Sequence, residues 1–415
     1  MIDSTNTTPH NRGRRRAFAA SLVISLLIAQ EIVFRAAFPL PDVEGFNRIR
    51  YQMLAGAHPN LAQALRRGLV YDKLLIESTP DGFREIHRLN LYGFRGDDFA
   101  LAAPADRERI LLIGDSVTEG QGAAESFTIA AGLARLQAAS GEVTEVLNLG
   151  VIAAALPHLT ALTRDAISLL DPQVLVLILY ANDLPAPVYP PQLELPAPTF
   201  PRRRVAGLFP RALELLARVA QNKPIYRRWG HSPMRFFAAV PDPSNPWSAS
   251  TGPPIEVEPA LYQAMTAGTL NPWLVEQARA IPDMLAHDFS TGGSPVRFLA
   301  RIASLCRGTG ARLLVVYVPF AGVVHPRYAS SLIKLGMPPP VAEALHQDPR
   351  YRGQNRILAE VCASLGLTFA DTTDDLVRAD EQGVPQYWAF DTHPRPAGYA
   401  TIVRRIQRAL QDRGR

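Results

Sequence analysis

The apolar run Val174-Leu-Val-Leu-Ile-Leu-Tyr180 constrains this chain more than any other feature. A strand with one face in water alternates polar and apolar residues. A strand without that alternation is buried on both faces, as in a parallel sheet covered by helices. Residues 173–180 therefore read as a central strand. Comparable strands are expected at 109–114, 143–149, 312–318 and 368–370. Helical apolar spacing falls between and after them, at 126–139, 156–170, 296–307, 354–365 and 397–410. Strands alternating with helices predict an α/β fold, a doubly wound parallel sheet in a three-layer α/β/α sandwich.

The alternation stops at Pro185. The chain has 36 prolines, and many lie between Pro185 and Pro254. Residues 185–295 therefore read as an irregular insertion with one helical stretch at 211–220, and as a candidate cap. Ahead of the sheet, 39–103 read as an N-terminal extension of turns and short strands. The sheet domain is expected in two parts, 104–184 and 296–415.

The N-terminus carries a targeting pattern. Arg12, Arg14, Arg15 and Arg16 precede the apolar stretch that opens at Ala17. A membrane-crossing helix needs roughly 20 residues. Residues 17–38 meet that length if Glu31 and Arg35, spaced i,i+4, pair near the interface. The arginines would keep 1–16 cytoplasmic, as a disordered tail, and the rest would lie outside the cytoplasm in the periplasm. A cleaved secretory signal is the alternative, although no small-x-small site follows the apolar core. Lys and Arg number 43 against 38 Asp and Glu, a net charge of +5. With no recognised module beside these charges, nucleic acid is not an expected partner. The basic groups at 202–204 and 227–228 read as solvated faces or as contacts to anionic lipid or polymer. The two cysteines, Cys306 and Cys362, lie in helical apolar patterns and read as buried thiols. No metal-ligand spacing appears.

Chemistry concentrates in two short motifs. Gly114-Asp-Ser116 ends the first strand and places a hydroxyl at its C-terminal end, where open α/β sheets bind ligands. Asp391-Thr-His393-Pro394 lies just before the last helix. Serine is a weak nucleophile without a base. His393 can accept the Ser116 proton and return it to a leaving group. Asp391 can orient the imidazole, since residues two apart in an extended segment face the same way. A backbone carbonyl is the alternative partner for the ring. His325 and His158 read as loop and helix-entry residues. Asp115 and Asp183 read as residues that tie down their loops.

Gly114-Asp-Ser-Val-Thr-Glu-Gly120 resembles the first conserved block of the SGNH (GDSL-type) hydrolases. Asn148-Leu-Gly150, Tyr180-Ala-Asn-Asp183 and Asp391-Thr-His393-Pro394 resemble the family's later blocks, in order. The similarity covers roughly 108–184 and 296–412. It implies the flavodoxin-like SGNH fold. It also implies an oxyanion hole made of the backbone N–H groups of Ser116 and Gly150 and the side-chain amide of Asn182. Tyr180 stands where the family often has glycine, which bears on the pocket floor. Asp-x-His is tighter than the common family spacing and is similar to that of membrane-anchored, polysaccharide-associated relatives. Residues 90–96 also resemble a stretch upstream of the domain in those relatives.

The resemblance implies a membrane-tethered serine esterase, working through a Ser116 acyl-enzyme without metal or cofactor. Its expected substrate is an O-acyl group on an envelope glycan or a lipid. O-acyl transfer to a polysaccharide by the same residues is a second reading. A non-catalytic glycan-binding or assembly component is a third.

Overall fold

The computed structural model describes residues 9–37, 73–90, 94–152, 154–184, 234–235, 257–271, 273–287 and 293–412. The chain forms two units, one of Met1–Asp42 with Pro196–Ser232 and one of Val43–Leu195 with Pro233–Arg415. The boundary therefore falls inside the expected insertion. The helical stretch expected at 211–220 and the basic groups at 202–204 and 227–228 lie outside the described residues.

In the first unit the described element is the helix Pro9–Ala37, of 29 residues. It begins inside the segment expected as a disordered tail. Proline is suited to a helix start, because the N–H it lacks would be unpaired there. Within this helix Arg15–Val33 is long and apolar enough to cross a membrane. Phe18, Leu22, Ile24 and Leu26 on it are exposed.

Among the described residues the second unit contains two sheets. The first is a hairpin, β1 (Lys73–Ser78) antiparallel to β2 (Phe83–Arg88). The turn between them is Thr79-Pro80-Asp81-Gly82, with Gly82 at φ +76° and its N–H on the Ser78 carbonyl. Pro-Asp-Gly suits such a turn. Proline presets φ, the aspartate side chain bonds locally, and glycine takes the left-handed position without a Cβ clash.

The main sheet comprises β3 (Glu108–Gly114), β4 (Thr144–Gly150), β5 (Val174–Tyr180), β7 (Arg312–Val318) and β8 (Thr368–Asp371). The two-residue β6 (Met234–Arg235) pairs instead with β1. The main sheet has the order β4-β3-β5-β7-β8, and every pairing in it is parallel. This is the flavodoxin-like arrangement. The winding reverses between β3 and β5, so a crevice opens beyond their C-terminal ends.

The unbroken apolar runs supply both faces. Leu175, Leu177 and Leu179 of β5 pack under the helices Leu156–Leu170, Ser294–Thr309 and Gly353–Ser364. Val174, Val176 and Ile178 face the other layer, with Ile129–Ala139 and Pro396–Gln411. Cys306 and Cys362 are buried free thiols in the first layer, and burial pushes them up to about 11 and about 12.

One expectation fails. Within the supposed insertion, the helices Pro259–Thr266 and Leu274–Ala286 belong to the second layer's core through Leu261, Met265, Val275, Ile281 and Leu285. Pro259 opens the first of these, where proline costs nothing. Pro282 is buried inside the second. Proline content there is therefore compatible with regular structure.

Candidate active site

Ser116 is the first residue of the one-turn helix Ser116–Glu119, which follows β3 directly. Asp115 caps that turn by accepting from the Val117 N–H at 2.9 Å. Gly114 makes the tight exit possible, because a Cβ there would stand 2.5 Å from the Ile178 carbonyl oxygen. The Ser116 hydroxyl lies 2.8 Å from His393 Nε2. His393 Nδ1 lies 2.7 Å from Asp391 Oδ1 and 3.2 Å from the Asp391 carbonyl oxygen. The carboxylate and the carbonyl, alternatives on sequence grounds, thus both face the same ring nitrogen. The second carboxylate oxygen of Asp391 accepts from Gln121 Nε2 at 3.2 Å. Ser116, His393 and Asp391 are all buried.

The backbone between acid and base is not extended. Thr392 sits at φ +62°, in the left-handed region, and its N–H bonds to the Trp388 carbonyl. A turn, not strand-like alternation, aims both side chains at each other. Tyr180, expected to alter the pocket floor, donates its hydroxyl to the Thr392 carbonyl at 3.3 Å. It stacks on the His393 ring with centroids 6.5 Å apart.

Electrostatics follow from burial. Burial pulls the His393 imidazole down, but the neighbouring charge of Asp391, its hydrogen bond and the charge of Asp115 outweigh it, so the pKa ends above the usual value. Burial pushes the Asp115 carboxyl up to about 6, against the Val117 N–H and the charge of His393. Burial, and then the charge of Asp115, hold Asp183 well above the usual carboxylate range. Asp183 also accepts from the Tyr180 N–H at 2.8 Å, closing the turn that carries Asn182.

Asn182 follows β5, the strand beside β3 in the sheet. Its side chain is half-buried, with a buried amide oxygen that has no partner among the described residues. Gly150 differs from the expectation. Its N–H donates to Asn148 Oδ1 at 2.9 Å, so it is not a free oxyanion donor. Its missing Cβ serves a close approach instead: a Cβ would stand 2.1 Å from the Glu119 backbone nitrogen. Gly150→Ala should therefore push the Ser116–Glu119 turn aside. Overpacking against rigid backbone costs about 3 kcal/mol. A fall in the denaturation midpoint of the variant is the expected outcome.

Three residues escaped the sequence reading. The side chains of Gln121 and Trp388 make their hydrogen bonds across long sequence separations, Trp388 Nε1 donating to the Gly122 carbonyl at 2.7 Å. Asp81 is the third, and the Pro-Asp-Gly signal between two alternating runs could have marked its turn. His158 and His325 do not join this cluster. His158 Nδ1 accepts from the Ala155 N–H, and His325 Nδ1 from the Arg327 N–H. Among the described residues, no group of three His, Cys, Asp or Glu is placed to hold a metal.

No family model and no curated protein matches this sequence. Among solved structures the chain is similar to TesA, at 13% identity over 73% of this chain and 98% of that one, with a TM-score of 0.36. It is also similar to Axe2, an acetylxylan esterase from Geobacillus stearothermophilus, at 12% identity over 75% and 96% with a TM-score of 0.38. A member of the lipolytic G-D-S-L family from Veillonella parvula matches at 12% over 74% and 99%, with a TM-score of 0.35. These likenesses concern the fold. The chemistry rests on the residues at the crevice.

Proposed function

We propose that this chain is a serine esterase of the SGNH type. The observation that carries the reading is the unbroken chain of contacts from the Ser116 hydroxyl through His393 to Asp391, at 2.8 and 2.7 Å. His393 Nε2 takes the hydroxyl proton as Oγ attacks the ester carbonyl. The oxyanion that forms is met by the Ser116 N–H and the Asn182 side-chain amide, since the Gly150 N–H is committed elsewhere. His393 then protonates the departing alcohol, leaving an acyl group on Ser116. Water, deprotonated by the same ring, releases the acid and restores the hydroxyl. Asp391 keeps the imidazole in the tautomer that accepts at Nε2 and stabilises its charged form.

The helix Pro9–Ala37 supports a membrane tether, with its basic end cytoplasmic and the catalytic unit outside. A tethered site meets substrates at the envelope, so the ester is an O-acyl group on a glycan or a lipid. A panel of p-nitrophenyl esters from acetyl to long acyl chains tests the activity, and products formed from acylated oligosaccharides identify the acceptor. Free acid supports hydrolysis, whereas net acylated sugar moves the reading to O-acyl transfer. A chain that turns over no ester and takes up no fluorophosphonate at Ser116 leaves only the non-catalytic glycan-binding reading. N-terminal sequencing of the membrane fraction tests the tether. An intact start supports it, and a soluble chain beginning near residue 38 means a cleaved signal.

A further inference from the structure

Ser116 and His393 arrive from chain segments 277 residues apart. The two segments bond to each other through Gln121 and Trp388, and a third segment braces both. The β1–β2 hairpin touches each. At its tip, Asp81 accepts the Phe390 N–H at 3.0 Å on one carboxylate oxygen and the Asp391 N–H at 2.8 Å on the other. The Ser78 hydroxyl donates to the second oxygen at 2.8 Å. At the far end of β2, His87 Nδ1 lies 2.6 Å from Glu119 Oε1, on the last residue of the nucleophile helix. Both partners are buried. Between these points Phe83 packs on Trp388 with ring centroids 4.9 Å apart. The Trp388 N–H in turn donates to the His393 carbonyl at 2.9 Å.

On the serine esterase reading above, we propose that the hairpin is the positioning element of the site, with Asp81 setting the acid–base loop and His87 the nucleophile turn. The turn chemistry of Asp81 needs only its bond to Ser78. The two long-range amide bonds instead fix the backbone of Asp391 itself, one residue before the left-handed Thr392. Their placement is also unfavourable for stability alone. Burial and the neighbouring charge of Asp391 both push the Asp81 carboxyl up. A neutral acceptor would avoid that repulsion. The carboxylate offers the two neighbouring amides separate acceptor oxygens held in one rigid plane.

The test is steady-state hydrolysis of p-nitrophenyl acetate by the full-length chain. Misplacing a catalytic group by about 1 Å costs about 100-fold, so Asp81→Ala is expected to lower kcat by about 100-fold with little change in KM. Asp81→Asn keeps one acceptor oxygen and should recover part of the rate. In an Asp391→Asn background, Asp81→Ala should add little, because the carboxylate it positions is already gone. Arg84→Ala, on the exposed side of β2, should keep the wild-type kcat. Wild-type kcat in folded Asp81→Ala or Asp81→Asn overturns the inference, as does a full additional loss in the Asp391→Asn background. An inactive wild-type chain that fluorophosphonate does not label overturns the esterase reading, and this inference with it.

Discussion

Ser116→Ala is expected to lower kcat for p-nitrophenyl acetate by on the order of 10⁶, the scale seen when the nucleophile of a serine–histidine–aspartate unit is removed. Covalent attack through Oγ is lost outright. Only ester polarisation by the remaining oxyanion donors stays. The fold should persist, because the side chain shrinks by one atom in a site whose walls are set by other contacts. Asp115 still caps the turn through Val117, and the Glu119 N–H still bonds to the Asp115 carbonyl. The cost is the hydroxyl's contacts to His393 and Asp115, with an imidazole nitrogen left unpaired, about 1–3 kcal/mol. His393→Ala should fall nearly as far, and the double variant no further, because the groups act as a unit. Mass spectrometry after fluorophosphonate treatment checks the assignment independently: wild type gains the adduct on the peptide holding Ser116, and the variant gains none. Near-wild-type turnover by Ser116→Ala would remove the nucleophile assignment.

The main sheet was legible because its strands are buried on both faces. Continuous apolar runs such as 174–180 and 312–318 leave little choice of structure, and their ends fell within a residue of expectation. The flanking helices 156–170 and 397–410 were equally plain, since one face of each is apolar at helical spacing. What failed was punctuation. The prolines between Pro185 and Pro254 suggest an irregular insertion over 185–295, and no element is expected over 319–353. Yet Pro259 and Pro339 open helices, and Pro326 and Pro349 begin 3₁₀ turns. Proline fits a first turn and breaks only an interior.

The site divides along similar lines. Ser116, Asn182, Asp391 and His393 lie in compact motifs at element ends, so local sequence marks them. The Gly150 amide was misjudged because an N–H carries no sign of which acceptor will claim it, and Asn148 lies only two residues away. Asp81 was invisible as a partner of Asp391 because 310 residues separate them. Hydrophobic period and turn chemistry describe neighbours along the chain. Pairings across the fold need the sheet order first.

Asp391→Asn is the substitution that separates orientation from mere packing. The volume is conserved, and the buried side chain keeps one oxygen for Gln121. The amide that now faces His393 Nδ1 is a donor, and it favours the tautomer protonated at Nε2. That nitrogen can no longer accept the Ser116 proton, and kcat should fall by about 10⁴. The pH profile gives the second reading. Hydrolysis needs neutral His393, so the rate falls as pH drops through the imidazole pKa. In the wild type Asp391, with help from Asp115, holds that pKa above the usual 6.5, so the acid limb should lie above that value. The Tyr180 ring also faces the imidazole, and Glu119 acts on it by charge: burial pushes the Glu119 carboxyl up, but His87, then Arg95 and His393, bring it below the usual value. The substitution removes the dominant raising charge and leaves burial, which lowers the pKa. The residual activity of Asp391→Asn should therefore show its acid limb at lower pH than the wild type. Stability follows with a definite sign. A histidine whose folded pKa is raised stabilises the fold below its unfolded pKa and loses that contribution as pH rises through the folded value. The denaturation penalty of Asp391→Asn should accordingly be larger at pH 5 than at pH 9. An acid limb that stays in place, or a penalty that grows toward alkaline pH, would mean that the carboxylate is not what holds the imidazole charge.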